Sequence, residues 1–319
     1  VVTPVPTPTP SSGYIDVSRD FPANAAPYGI YATQQDVWFT DRANDAIGRI
    51  SISTAAFDEI SVSAGVPQEV TTDNNGSVIF SEDAPPNTAA VGKYTPSSGT
   101  MTSVALHTAA GLGASGIAAD AAGDAYVAIG STDASAVGQG IFSYNFATGA
   151  VSGSPLGSPF STPFQYDPTS IAIDHFGHIW VSDTDANTVE VLDTAGNVLY
   201  QLYSDGLMPA SLAEGPDHNM YVTEPNARLV QAIDETTFAQ KISFPTACSA
   251  GYLAAGAKQD LWLTEPACNR VARINLAGPY IQQYPSTVAG GAPDHITVDA
   301  ADNVWFTDSN LHKVFKFVP

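Results

Sequence analysis

The sequence predicts an all-β fold, a seven-bladed β-propeller whose last blade is completed by an N-terminal strand at about residues 14–22. Three observations predict it. A unit of about 40–50 residues recurs seven times along the chain. Each copy reads as short runs rich in Val, Ile, Phe, Tyr and Trp, parted by Gly, Asn and Asp at turn positions. The last copy is one strand short, while a strand-like piece with no blade of its own stands before the first.

The seventh copy, Pro293–Val318, sets the pattern. It reads as an inner strand (His295–Val298), a tight turn (Ala300–Asn303), a second strand (Val304–Thr307), a polar loop and a third strand (Lys313–Val318). The middles of the second strands fall at Trp38, Ile79, Tyr126, Trp180, Tyr221, Trp262 and Trp305, at intervals of 41, 47, 54, 41, 41 and 43 residues. Inner strands open in step at Pro27, Pro67, Ala114, Pro168, Pro209, Ala250 and Pro293. Outer strands are read in pieces such as Phe57–Gly65, Val198–Gly206 and Phe238–Thr246. Tyr14–Pro22 has the same character and is assigned to blade seven, which leaves few strand edges exposed.

Composition bounds the rest. With 319 residues, 44% of them apolar, residues 14–319 can bury the core of a single propeller domain behind an extended arm at 1–13. Acidic residues outnumber basic ones 32 to 11, a net charge of −21, which argues against nucleic acid and anionic membranes as partners. No apolar run approaches the ~18–20 residues of a transmembrane helix. The chain shows no initiator Met and no signal peptide, and is expected to be a mature, processed form found outside the cell or on its surface. Cys248 and Cys268 fall in loops on the same face of blade six. A disulfide between them is expected, with an oxidising compartment, against the alternative of two unrelated thiols. Two cysteines alone cannot make a zinc site.

The arm Val1–Gly13 carries Pro at positions 4, 6, 8 and 10, so it favours extended or polyproline II chain. It reads either as a spacer, tethered to a lipid or glycosylated on Thr, or as a docking arm. In the second reading the prolines share one side and Thr3, Val5, Thr7 and Thr9 face a groove on a neighbouring copy, giving an oligomer or polymer. Blade three is the irregular one. Its loop Ile129–Gly140 and the stretch Val151–Pro168 account for the 54-residue interval. Phe160, Phe164 and Tyr166 in that stretch read either as packing over the blade or as a contact for a glycan, a cell-surface partner or another subunit.

Candidate chemistry is sparse. Asp41, Glu82, Asp183, Glu224, Glu265 and Asp308 close six of the second strands. They read as carboxylates that accept backbone N–H groups in their own loops, or as a set of oxygen ligands for Mg²⁺ or Ca²⁺. Asp183, Asp185 and Asn187 begin like a calcium loop but lack its Gly and its distal Glu. His175, His178 and His218 sit in turns and read as solvated, although the 175/178 spacing admits a metal pair.

The repeated pattern D-x-x-G-x-h-W-h-[TS]-[DE] (h, apolar), followed by a polar loop and [IV]-[GA]-[RK]-h, appears in Thr72–Glu82, Ile173–Asp183, Gly215–Glu224 and Val298–Asp308, with Ile47–Ile50, Val91–Tyr94 and Val271–Ile274 as third strands. It resembles the virginiamycin B lyase (streptogramin lyase) and NHL-type propellers over about residues 14–318. That resemblance implies a seven-bladed ring, Mg²⁺ and a histidine base near the central channel, and opening of a cyclic depsipeptide by elimination. It also places key side chains just after the residue that opens each inner strand. Those positions are Tyr28, Gln68, Ser115, Thr169, Ala210, Gly251 and Asp294, and Tyr28 fits the tyrosine the resemblance implies there. A lyase-like site would use Tyr28, Asp294 and His295. His295, however, stands one residue late, and strand alternation is expected to turn it to the opposite face. The sequence thus favours a non-catalytic structural or binding propeller without a required cofactor. The alternative is a C–O lyase with a rearranged site, for which Mg²⁺ or Ca²⁺ is admissible.

Overall fold

The computed structural model describes residues 13–62, 65–84, 88–107, 112–130, 139–155, 168–203, 208–286 and 288–319. They form seven four-stranded antiparallel sheets, the blades of a β-propeller. The helical element among them is a short 3-10 turn at Pro266–Cys268, and among the described residues no helix is long and apolar enough to cross a membrane. The chain divides into two compact units. One holds the described residues of Val1–Phe39, Gly48–Glu59 and Ala210–Pro319, the other those of Thr40–Ile47 and Ile60–Pro209.

In the first unit, the sheet of blade seven is completed by Tyr14–Asp16, which pairs antiparallel with the third strand Lys313–Phe317. This closing strand is shorter than the predicted 14–22. The Asp16 carboxylate accepts the Ser18 backbone N–H at 2.9 Å and turns the chain, while the Ser18 hydroxyl exchanges hydrogen bonds with the Val314 backbone. Tyr14 anchors the strand by packing edge-on to Phe306 and donating its hydroxyl to the Tyr284 carbonyl.

The repeated motif is a folding device. Asp299 opens the turn of blade seven and accepts the N–H groups of Ala301 and Asn303 as well as the Trp305 indole N–H at 2.9 Å. In the second unit Asp174 does the same for Phe176, His178 and Trp180. One carboxylate therefore fixes the turn and orients the largest core side chain of the second strand, and each such bond to a charged acceptor contributes about 1.5–3 kcal/mol. Second strands such as Asn219–Glu224 and Asp260–Glu265 are buried at every residue, which explains their nearly continuous apolar reading.

The hydroxyl residue ahead of the closing acid has its own task. Inner strands carry a register irregularity just after their opening residue, between Pro293 and Ile296 in blade seven and between Pro67 and Val70 in blade two. Thr307 accepts the displaced His295 N–H at 3.2 Å and donates to the Tyr28 carbonyl at 2.9 Å. Ser81 accepts the Glu69 N–H and donates to the Ser115 carbonyl, both at 3.1 Å. The hydroxyls of Thr307 and Ser81 thus each tie a second strand to two inner strands.

Blade three departs from expectation at its outer edge. Ala150–Pro155 is its fourth strand, paired with Gly140–Asn145, and Pro168 opens the next inner strand. The insertion therefore starts later than Val151. Phe160, Phe164 and Tyr166 lie outside the described residues, as do Thr3, Val5, Thr7 and Thr9 of the arm.

Candidate functional site

The candidate site lies in the first unit, where the inner strands of blades one (Pro27–Ala32) and seven (Pro293–Val298) bring Tyr28 and His295 together. The His295 ring is held between two tyrosines, with centroids 4.1 Å from Tyr28 and 3.5 Å from Tyr252. The expectation that His295 turns away from Tyr28 is thus overturned. Alternation holds only for an uninterrupted strand, and the irregularity between Pro293 and Ile296 cancels the one-residue offset. Asp294 completes the group, its carboxylate 3.5 Å from His295 Nδ1. Sequence reasoning missed Tyr252; its signal was an equivalent place, two residues past Ala250 as His295 is two past Pro293.

The geometry limits what this group can do. The His295 side chain is only 4% exposed, and two tyrosine rings pack against it. A general base must come within hydrogen-bond reach of the proton that it removes. Mg²⁺ asks for a near-octahedral shell of oxygens supplied by carboxylates and waters. Asp294 alone, beside an imidazole and two phenol rings, does not meet that requirement. Among the described residues no cluster of three or more metal-ligating groups includes Asp294 or His295. We therefore derive no step through Mg²⁺ here.

Of the acids that close the second strands, Asp41, Asp183 and Asp308 bond to their own loops. Asp41 accepts the Ala43 N–H and the Asn44 side-chain N–H, and Asp183 accepts the Ala186 N–H at 2.8 Å. Asp308 takes the N–H groups of Ala292, Asn310 and Leu311. Asp185 is exposed, and the Asn187 side-chain oxygen accepts the Met208 N–H at 3.1 Å. No cluster of metal-ligating groups among the described residues includes these three positions. Of the turn histidines, His178 shares a hydrogen bond with Asp174 and His218 one with Glu214, each at 2.9 Å. In blade six Cys248 and Cys268 form a disulfide, their Cα atoms 6.3 Å apart. Glu265 braces it, accepting the Cys248 N–H at 2.9 Å while pairing with Arg270.

Burial raises two carboxyls in the second unit: Glu82, one of the strand-closing acids, and Glu190, which the sequence reading did not single out. Burial pushes Glu82 up to about 7, with the Ser103 hydroxyl opposing. Burial likewise raises Glu190 to about 7, against a hydrogen bond from Gln201 and with the help of the nearby Asp183 charge.

Residues 147–318, over half of the sequence, match the virginiamycin B lyase family. The chain belongs to that family. Among solved structures, this virginiamycin B lyase family member is similar to a streptogramin B lyase, with 20% identity over 96% of this chain and 97% of the other and a TM-score of 0.81. It is also similar to a catalytically inactive variant of the Staphylococcus aureus virginiamycin B lyase with quinupristin (19% identity, 97% and 99% covered, TM-score 0.81). The selenomethionine-substituted form of that enzyme gives 19% identity over 97% and 99% and a TM-score of 0.80. At these identities the likeness establishes the fold. No curated protein matches the chain.

Proposed function

We propose that this family member is an extracellular or cell-surface propeller that acts as a non-catalytic structural or binding module and joins copies of itself through its Thr-Pro arm. The observation that carries the reading is the burial of His295 between Tyr28 and Tyr252. The imidazole best placed to serve as a base is a packing element, and among the described residues no metal-ligating cluster includes it. The Cys248–Cys268 disulfide supports an oxidising setting. For the arm the support is sequence alone. Four prolines on one side keep an extended segment from folding back, and Thr3, Val5, Thr7 and Thr9 present a regular row of small side chains to a neighbouring sheet.

The test compares the full chain with a form lacking residues 1–13, by light scattering and negative-stain microscopy. The expected result is oligomers or polymers from the full chain and a monomer from the truncated one. Monomers from both would overturn the assembly reading and reduce the arm to a tether.

A further inference from the structure

The seven repeats provide an internal baseline, and blade five departs from it at three positions that meet in space. The residue before the inner turn is Ala32, Thr72, Ala119, Ile173, Ala255 or Val298 in the other blades, and Glu214 in blade five. The fourth residue of that turn is Gly76, Gly123 or Gly177 in blades two to four, and His218 here. In the turn between third and outer strands, blades one, three and six place Ile52, Phe146 and Leu276, each packed against a hydrophobic cluster. Blade five places Glu235 there, only 1% exposed.

From this convergence we propose a divalent transition-metal site formed by Glu214, His218 and Glu235, separate from the Tyr28–His295 group. The donor atoms of the three side chains lie within 4.8 Å of one another. One imidazole nitrogen with two carboxylates suits a first-row ion such as Zn²⁺ better than Ca²⁺ or Mg²⁺, which take oxygen shells. Placing a carboxylate at a position built for an apolar side chain is costly, and a second carboxylate close by adds repulsion. A bound dication reverses both terms. In the metal-free chain Glu214 and His218 share a hydrogen bond of 2.9 Å, which holds the two ligands together and is exchanged for bonds to the ion when it binds. Open coordination positions would face solvent, because His218 is exposed. No thiolate competes, since the chain has two cysteines and they are joined. The inference stands independently of the proposed function.

The experiment is calorimetric titration of the full, chelator-treated chain with zinc chloride, repeated with calcium and magnesium chlorides. Thermal unfolding with and without zinc accompanies it. His218→Gln and Glu235→Gln are the variants, the first at an exposed position where folding is little affected. The expected result is one zinc per chain, a zinc-dependent rise in the unfolding midpoint, and a loss of affinity of at least about tenfold in each variant. Absence of zinc binding, equal binding of calcium or magnesium, or binding unchanged in His218→Gln would overturn the site.

Discussion

In blade seven the turn between inner and second strands opens with Asp299, whose carboxylate takes two turn N–H groups and the Trp305 indole. In blade five the same place is Gly215, and the carboxylate has moved to Asp217, which accepts the Tyr221 hydroxyl at 2.9 Å instead. A Cβ at Gly215 would lie 2.5 Å from the Tyr221 ring, so the arrangement of blade seven does not fit here. Both blades bury their second strands completely. Their difference separates two kinds of residue. Those repeated from blade to blade carry folding, and those unique to one blade are the candidates for function.

The largest expected effect concerns a carboxyl that opens a turn against two that burial raises. Hydrogen bonds from Trp305 and Asn303 outweigh burial at Asp299 and hold it below its ordinary range. Glu82 and Glu190 go the other way. Their folded pKa of about 7 exceeds the ordinary 4.5, so the folded chain keeps these two protons longer than the unfolded chain does. Their contribution is full below pH 4.5 and is lost as pH rises to about 7, on the order of 3 kcal/mol for each. Urea unfolding at a series of pH values should show stability falling across that window, and Glu82→Gln with Glu190→Gln should flatten the fall. A profile rising from pH 4.5 to 7 would contradict this.

The repeat pattern itself is broken by Trp305→Ala. Trp305 is 1% exposed and tied to Asp299, so the loss should be about 3–5 kcal/mol, read as a lower urea midpoint. A loss below about 1 kcal/mol would mean that the motif is not what holds the blade.

The smallest effect runs in the stabilising direction. Glu235→Leu returns blade five to the apolar choice of blades one, three and six and should raise the metal-free unfolding midpoint, by on the order of 1 kcal/mol. It should also abolish the response to zinc. A fall in stability would show instead that the carboxylate is built into the turn.

Much of the fold was legible because the blade repeat is local. Second strands, turn residues and the missing strand all recur at nearly fixed spacing, and the closing pair Tyr14↔Phe317 follows from the count. The disulfide was legible for the same reason. The orientation of His295 was not, because a strand irregularity after Pro293 leaves no mark in the apolar pattern. Glu235 was equally silent. An acid in a polar turn looks solvated until the apolar residues at the same place in other blades are set beside it. The raised carboxyls Glu82 and Glu190 depend on burial between layers, which alternation alone does not report.

The proposed non-catalytic role implies that this chain leaves the lactone of a cyclic depsipeptide intact, and the most direct test is to look for ring opening. The purified chain, residues 1–319, is incubated with quinupristin and Mg²⁺, and the lactone is followed by mass spectrometry and chromatography beside a streptogramin B lyase as positive control. The account predicts intact lactone at a rate indistinguishable from buffer. Ring opening by the wild-type chain that disappears in His295→Ala would contradict it and make Tyr28, Asp294 and His295 an active site.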